Sequence, residues 1–311
     1  MDIMSHAAPK TTATLSLADL PGPNVAVRRL RHPGRWVSGG IVLLLLAVIG
    51  RAFAVGQIQW PVVGQFLTAG VIVTGFGWTL LISACALALG VVLGFAFGIM
   101  RLSENPILRF AAWLYVWIFR GTPVLLQLLI WFNIALVFPR LYIPGLVDER
   151  MVDVVTPFVA AVLGLGVNEG SYLTEVVRGG IGSVDKGQTE AAHTLGMTPG
   201  QTMRRIILPQ TLRLILPVLG NSAIGMLKFS SLAATIAMGE MLNAAQRIYF
   251  INGAVIELLF VCAVWYLAGT TVLSIGQYYL ERHFGRDAST ATAERSWFKG
   301  WARRPATPEE A

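Results

Sequence analysis

The 311-residue sequence predicts an all-α polytopic membrane protein with six transmembrane helices. Hydrophobic residues make up 55% of the chain and charged residues only 13%, against about 25% charged in soluble domains. The apolar residues come in runs near the roughly 20 residues a helix needs to cross hydrocarbon. The net charge of +7 comes from short basic clusters between those runs, a pattern that orients a chain in a membrane rather than one that binds nucleic acid.

Residues 1–36 carry Pro, Gly, Thr and a basic cluster (Arg28, Arg29, Arg31, Arg35) and read as a disordered cytoplasmic tail. The first span, 37–55, is too far from the N-terminus for a signal peptide and is expected to stay uncleaved. The stretch 56–73 has no Lys or Arg and suits the outer interface. A second span follows at 74–100, with Gly90, Gly94 and Gly98 at four-residue intervals. Such a stripe serves close helix packing within the chain or a pore or dimer contact. The stretch 101–121 reads as a connection with an aromatic, interface-like run, and Thr122–Pro123 starts a third span at 123–138. After an outer loop at 139–156 come a span at 157–177, a polar segment at 185–209, and a span at 212–236 interrupted by Pro217 and Gly220. Residues 237–252 return Glu240, Asn243 and Arg247 to the outside. The last span is 258–280, and residues 286–311 form a second polar tail. Cys85 and Cys262 each lie inside an apolar run and read as packing residues.

Counting Lys and Arg tests the orientation. With both termini inside, the inner segments hold five, three, five and six, and the outer segments none, two and one. Nineteen against three places both termini and the 185–209 segment on the cytoplasmic side.

That segment reads as two short helices joined at a glycine. Asp185 with Gln188 has capping-box spacing. Gly196 suits the left-handed residue after a helix. Thr198, Pro199 and Gln201 give a second start: N-cap, first-turn proline and an amide at the third position. Leu208–Pro209 is expected to end it. Ala191, Ala192 and Leu195 fall on one face at helical spacing. The segment is either a helical knuckle shaped for a partner's groove or a solvated loop.

An enzyme finds little support. The chain contains no HExxH, GxSxG or Walker A pattern, and His6, His32, His193 and His283 all lie outside the expected spans. Ionisable groups within the spans are more telling, because a charge near the bilayer centre costs several kcal/mol unless paired or hydrated. Glu169 lies deep in its span beside Asn168, and Lys228 lies about 22 Å along a helix from Arg213. Two readings fit: Asn168, Glu169 and Lys228 line a pathway for a zwitterion, or Glu169 and Lys228 form a structural pair.

The motifs resemble those of a known family. Glu190-Ala-Ala, Gly196 and Ile207-Leu-Pro209 look like the EAA loop of ABC-importer permeases. Phe119-Arg-Gly-Thr-Pro123, Asn168-Glu-Gly-Ser-Tyr172, Arg178-Gly-Gly-Ile181, Leu208-Pro-Gln210 and Gly220-Asn221 extend the resemblance to the polar amino acid uptake branch, the histidine/glutamine/glutamate type, over residues 70–285. It implies a five-helix permease core, here preceded by the extra span 37–55, in the plasma (inner) membrane of a prokaryote. It implies a second permease subunit, identical or paralogous, ABC ATPase subunits inside and an extracytoplasmic solute-binding protein outside. By resemblance, Glu190, Ala191, Ala192 and Gly196 couple to the ATPase. ATP and Mg would sit on that subunit, with no cofactor on this chain. The substrate would be a polar amino acid; another small solute, such as an opine or a sulfur amino acid, is the alternative. An ion-coupled carrier would show internal inverted repeats, and none is found.

One departure stands out. Family members commonly read Leu-Lys-Asp-Thr-Ser-Leu where this chain has Leu227-Lys-Phe-Ser-Ser-Leu232. Phe229 removes an acid beside Lys228, which implies a changed substrate preference or a new partner for Lys228, such as Glu169. Phe229→Asp is therefore expected to alter substrate range in an uptake competition assay; an unchanged range and affinity would refute the preference change.

Overall fold

The computed structural model describes residues 33–145 and 147–284. The basic cluster at 28–31 and the tail from 285 onward lie outside them. The chain divides into two compact units at Ile58/Gln59. The first contains helix α1, Pro33–Val55, whose apolar stretch Val37–Val55 is long enough to cross a membrane.

The second unit opens with α2 (Trp60–Leu67) and α3 (Gly70–Leu102). The connection expected at 101–121 is instead helix α4 (Pro106–Gly121), started by Asn105, whose side chain accepts from the Ile107 N–H. Helix α5 is short, Val124–Phe132, so the third span does not run to Phe138. Together α4 and α5 form a pair bent by 103°, apolar enough as a unit for a broken span or a re-entrant loop. The loop expected outside carries a two-stranded antiparallel hairpin, β1 (Arg140–Ile143) and β2 (Val147–Arg150), then a single turn, α6 (Met151–Val154).

Helix α7 (Pro157–Gly182) is capped by Thr156 and leads into α8 (Lys186–Thr194). The next helical run starts with α9 (Pro199–Thr202) and passes through Leu208–Pro209 rather than stopping there. Pro209 has no N–H to return to Arg205, and its ring would press on that carbonyl. The helix widens into a π turn over Met203–Ile207, with the Leu208 N–H bonding to Met203, and continues as α10 (Leu208–Phe229). α10 also runs unbroken past Pro217 and Gly220, then tightens to a 3-10 helix at Ser230–Ile236. Helices α11 (Met241–Asn252) and α12 (Val255–Phe284) complete the described residues.

By length and apolarity, four helices among the described residues qualify as spans, or five if the bent pair is one span. α7 is long enough, at 26 residues, but falls short of that apolarity, so the count of six is not confirmed.

α3 lies along α7, and the glycine stripe explains how closely. A Cβ at Gly94 would fall 2.5 Å from Leu173 Cβ, and one at Gly98 2.7 Å from Val177 Cγ1. The stripe therefore serves packing inside the chain. One apolar core gathers Ile82, Ala86, Leu128, Leu165 and Met226; a second joins Ile72 and Met241 to Leu258 and Val261.

Of the polar groups expected outside over 237–252, Arg247 is exposed but the other two are not. Glu240 is fully buried and Asn243 nearly so. The chain breaks at Ala237, with φ 55°, and Glu240 caps α11 by accepting from the Asn243 N–H at 2.7 Å. Its other oxygen lies 3.2 Å from Thr79 Oγ1 and 3.3 Å from the Tyr266 hydroxyl. A hydropathy reading sends a glutamate to water; the demand for a cap at a buried helix start keeps it inside.

The α3–α7 contact predicts that Gly94→Val lowers stability by about 1–3 kcal/mol through overpacking. Gly77→Ala, where an added Cβ meets nothing within 4 Å, is expected to stay within about 0.5 kcal/mol. Thermal unfolding in detergent measures both.

Candidate functional site

Two features stand apart from packing: the knuckle between α7 and α10, and a cavity between the same two helices.

The knuckle begins where Asp185 Oδ1 accepts the Gly187 N–H at 2.6 Å. The Asp185 cap is present, while the full capping box forms at the second start: the Gln201 N–H bonds Thr198 Oγ1 at 3.4 Å and the Thr198 N–H bonds Gln201 Oε1 at 3.0 Å. Gly196 ends α8 with φ +75°. Its N–H bonds the His193 carbonyl, and the Met197 N–H reaches back to Ala192, the paired bonds of a Schellman turn. The expected common face divides. Ala192 is 1% exposed and turned inward, while Ala191 and Leu195, one turn apart, point out beside Glu190. Adjacent helical positions differ by about 100°, so Ala191 and Ala192 cannot share a surface. Leu195, 80% exposed, is the apolar tip of the knuckle.

The cavity, about 510 Å³, is lined by Glu169 and Tyr172 of α7, by Asn221, Ser222, Gly225 and Phe229 of α10, and by Arg120 from the end of α4. Glu169 is 9% exposed, with the Ser222 side chain as its hydrogen-bond partner. Glu175 also borders the cavity, but its carboxylate is held by Arg178 at 2.7 Å and Arg101 at 3.4 Å.

The three expected pathway residues separate. Glu169 lies in the cavity. Asn168, one position back, instead donates from Nδ2 to the Phe119 carbonyl at 2.8 Å. Lys228 is exposed outside the cavity lining and, among the described residues, has no carboxylate within ion-pair distance, so the expected Glu169–Lys228 pair does not form. Phe229, its neighbour, is about half exposed but borders the cavity, because consecutive helical residues diverge.

Arg120, Tyr172 and Asn221 stood in the sequence only as parts of motifs. Arg120 carried the available signal: a cation directly before a Gly-Thr-Pro helix break. Gln127 was missed altogether, although it is a lone amide in an apolar run. Its Nε2 lies 2.8 Å from both the Phe119 carbonyl and Thr122 Oγ1.

Residues 86–286 match the family described as "Binding-protein-dependent transport system inner membrane component". The chain is 39% identical over 274 residues to the arginine transport system permease protein ArgU of Corynebacterium glutamicum, covering 87% of this chain and 86% of that one. It is 34% identical over 227 residues to the glutamine transport system permease protein GlnP of Escherichia coli K12, covering 73% and 97%. A crystal structure described as an amino acid ABC transporter with histidines is 33% identical, with a TM-score of 0.60 over 68% of this chain and 94% of the other.

The Asn168 contact yields a prediction. Asn168→Ala removes one of two donors to the Phe119 carbonyl, Gln127 keeping the other, and is expected to cost about 0.5–1.5 kcal/mol. Asn168→Asp, similar in shape but without the donor, is expected to rescue nothing. Denaturation in detergent reads both.

Proposed function

The chain belongs to the family of inner-membrane components of binding-protein-dependent transport systems, and from that premise we propose that it passes a polar amino acid through the α7–α10 cavity, driven by the knuckle. It is a membrane-embedded permease subunit of an ABC importer, a class that works with ATPase subunits and a solute-binding protein.

The observation that carries the reading is Glu169, a nearly buried carboxylate beside an open cavity with no cation in ion-pair range among the described residues. An uncompensated charge at that depth is costly, and a cationic group on the substrate would offset the cost. Ser222 and Asn221 add hydrogen-bonding capacity, and Phe229 gives an apolar wall against which an aliphatic side chain can lie. A long, cation-bearing amino acid fits this lining best. The likeness to a permease named for arginine transport agrees with it.

Coupling follows from connectivity. α7 runs directly into the knuckle and α10 emerges from it, so both cavity walls are attached to its two ends. At their base the Thr211 hydroxyl reaches the Gly180 carbonyl at 3.4 Å, tying the two legs together. Glu190, Ala191, Leu195 and the turn at Gly196 form the outward surface for an ATPase groove, while Ala192 anchors α8 from within. ATP with Mg, bound on that ATPase, closes its two copies; the knuckle moves as a rigid body, and the cavity opens alternately to each side. A second permease subunit, with both termini of each chain on the cytoplasmic side, completes the assembly.

Reconstitution in liposomes with the ATPase and the binding protein tests this. Uptake is expected to require ATP and to be competed by L-arginine more strongly than by L-glutamate. Gly196→Asp, which puts a charge and a side chain at a positive φ, is expected to cut ATP-driven uptake about tenfold, within the usual span of coupling energies, with no loss of substrate binding. Uptake driven by an ion gradient alone would overturn the reading.

A further inference from the structure

Arg120 occupies a position that needs explaining. It stands on an exposed position beside the 103° bend between α4 and α5, yet its guanidinium is turned over an aromatic ring. Among the described residues it makes no ion pair. Its guanidinium carbon sits 4.9 Å from the centroid of the Tyr172 ring, inside the cavity that also holds Glu169.

The backbone beneath it is built to hold that position. In a continuous helix the Phe119 carbonyl would accept from residue 123, but Pro123 has no N–H. Asn168 Nδ2 and Gln127 Nε2 replace it, each at 2.8 Å. Gln127 Nε2 also reaches the Thr122 carbonyl at 3.1 Å, and Thr122 Oγ1 donates to Ile118 at 2.9 Å. Side chains from α5 and α7 thus fix the residue directly before Arg120, and the Tyr172 face supports its head group. A cation–π contact leaves the guanidinium edge free, and that edge is a planar fork of donors matched to a carboxylate.

We propose that Arg120 is the anchor for the substrate's α-carboxylate. This rests on the reading of the cavity as the substrate site and adds its second pole: Glu169 receives the cationic end, Arg120 the anionic end. Both line one cavity without pairing with each other, and the proposal seats the zwitterion between them. Glu175 does not compete for the arginine, because Arg101 and Arg178 hold its oxygens. Tyr172 carries the guanidinium while the cavity is empty and remains stacked on it when the carboxylate binds.

The test uses the purified permease–ATPase complex and two probe pairs that differ only by the carboxylate: L-arginine with agmatine, and L-glutamine with 4-aminobutanamide. Titration calorimetry is expected to show that the wild-type complex prefers the amino acid of a pair. Arg120→Gln should weaken amino acid binding about 10- to 100-fold, the range for a charge-assisted hydrogen bond, and leave the amine unchanged. Arg120→Lys, which keeps the charge but not the fork, should give an intermediate loss and serves if the glutamine variant does not fold. Equal weakening of acid and amine, or no weakening, overturns the anchor while leaving the cavity reading intact. A guanidinium that serves lipid phosphate would give that result. If the wild-type complex binds neither pair, the cavity is not the substrate site and both proposals fall.

Discussion

In hydrocarbon every backbone N–H and C=O must find a partner inside the protein, and the architecture turns on how this chain meets that demand where its helices break. At Pro123 the orphaned Phe119 carbonyl is taken by Asn168 and Gln127. At Pro209 the helix changes pitch instead, widening to a π turn. After Ala237 the buried start of α11 is capped by Glu240, which Thr79 and Tyr266 hold in place. The first and third bring side chains from distant elements to one point, so those breaks are also places where the fold is stitched together.

Two of those breaks adjoin the functional features. The bend at Pro123 sets Arg120 at the cavity, and the π turn lies between the knuckle and α10. Breaking a helix in a membrane costs hydrogen bonds, and the chain meets that cost where a polar group must be aimed or a segment must swing. Between breaks it packs tightly: Gly94 and Gly98 seat Leu173 and Val177 with no room for a methyl group. α7 is therefore well suited to move with α3, carrying Glu169 and the knuckle's first leg with it.

Much was legible in the sequence where local rules decide. The Gly196 turn and the Thr198 N-cap follow from short-range geometry and appear as expected, while the capping box forms at Thr198–Gln201 rather than at Asp185–Gln188. The motifs of the family were likewise visible, and the comparisons place the chain in it. Register within a helix was not legible. Ala191 points out while Ala192 is buried, Asn168 bonds the Phe119 carbonyl while Glu169 lines the cavity, and Lys228 lies outside the cavity lining that Phe229 joins. One residue is about 100° of rotation, finer than periodicity resolves in segments that are apolar on several sides.

By itself, the sequence determined the class of protein, its punctuation and the chemistry of its polar segment, because these depend on composition and on contacts within a few residues. The tertiary structure decided which of the polar groups share a cavity. Glu169 and Arg120 are forty-nine positions apart in the chain, and only the bend between α4 and α5, pinned by a glutamine and an asparagine, brings them to the same cavity. The feature that first marked the chain as force-transmitting, its capped helix pair, was local. The site on which that force would act depends on long-range packing, and no local signal encodes it.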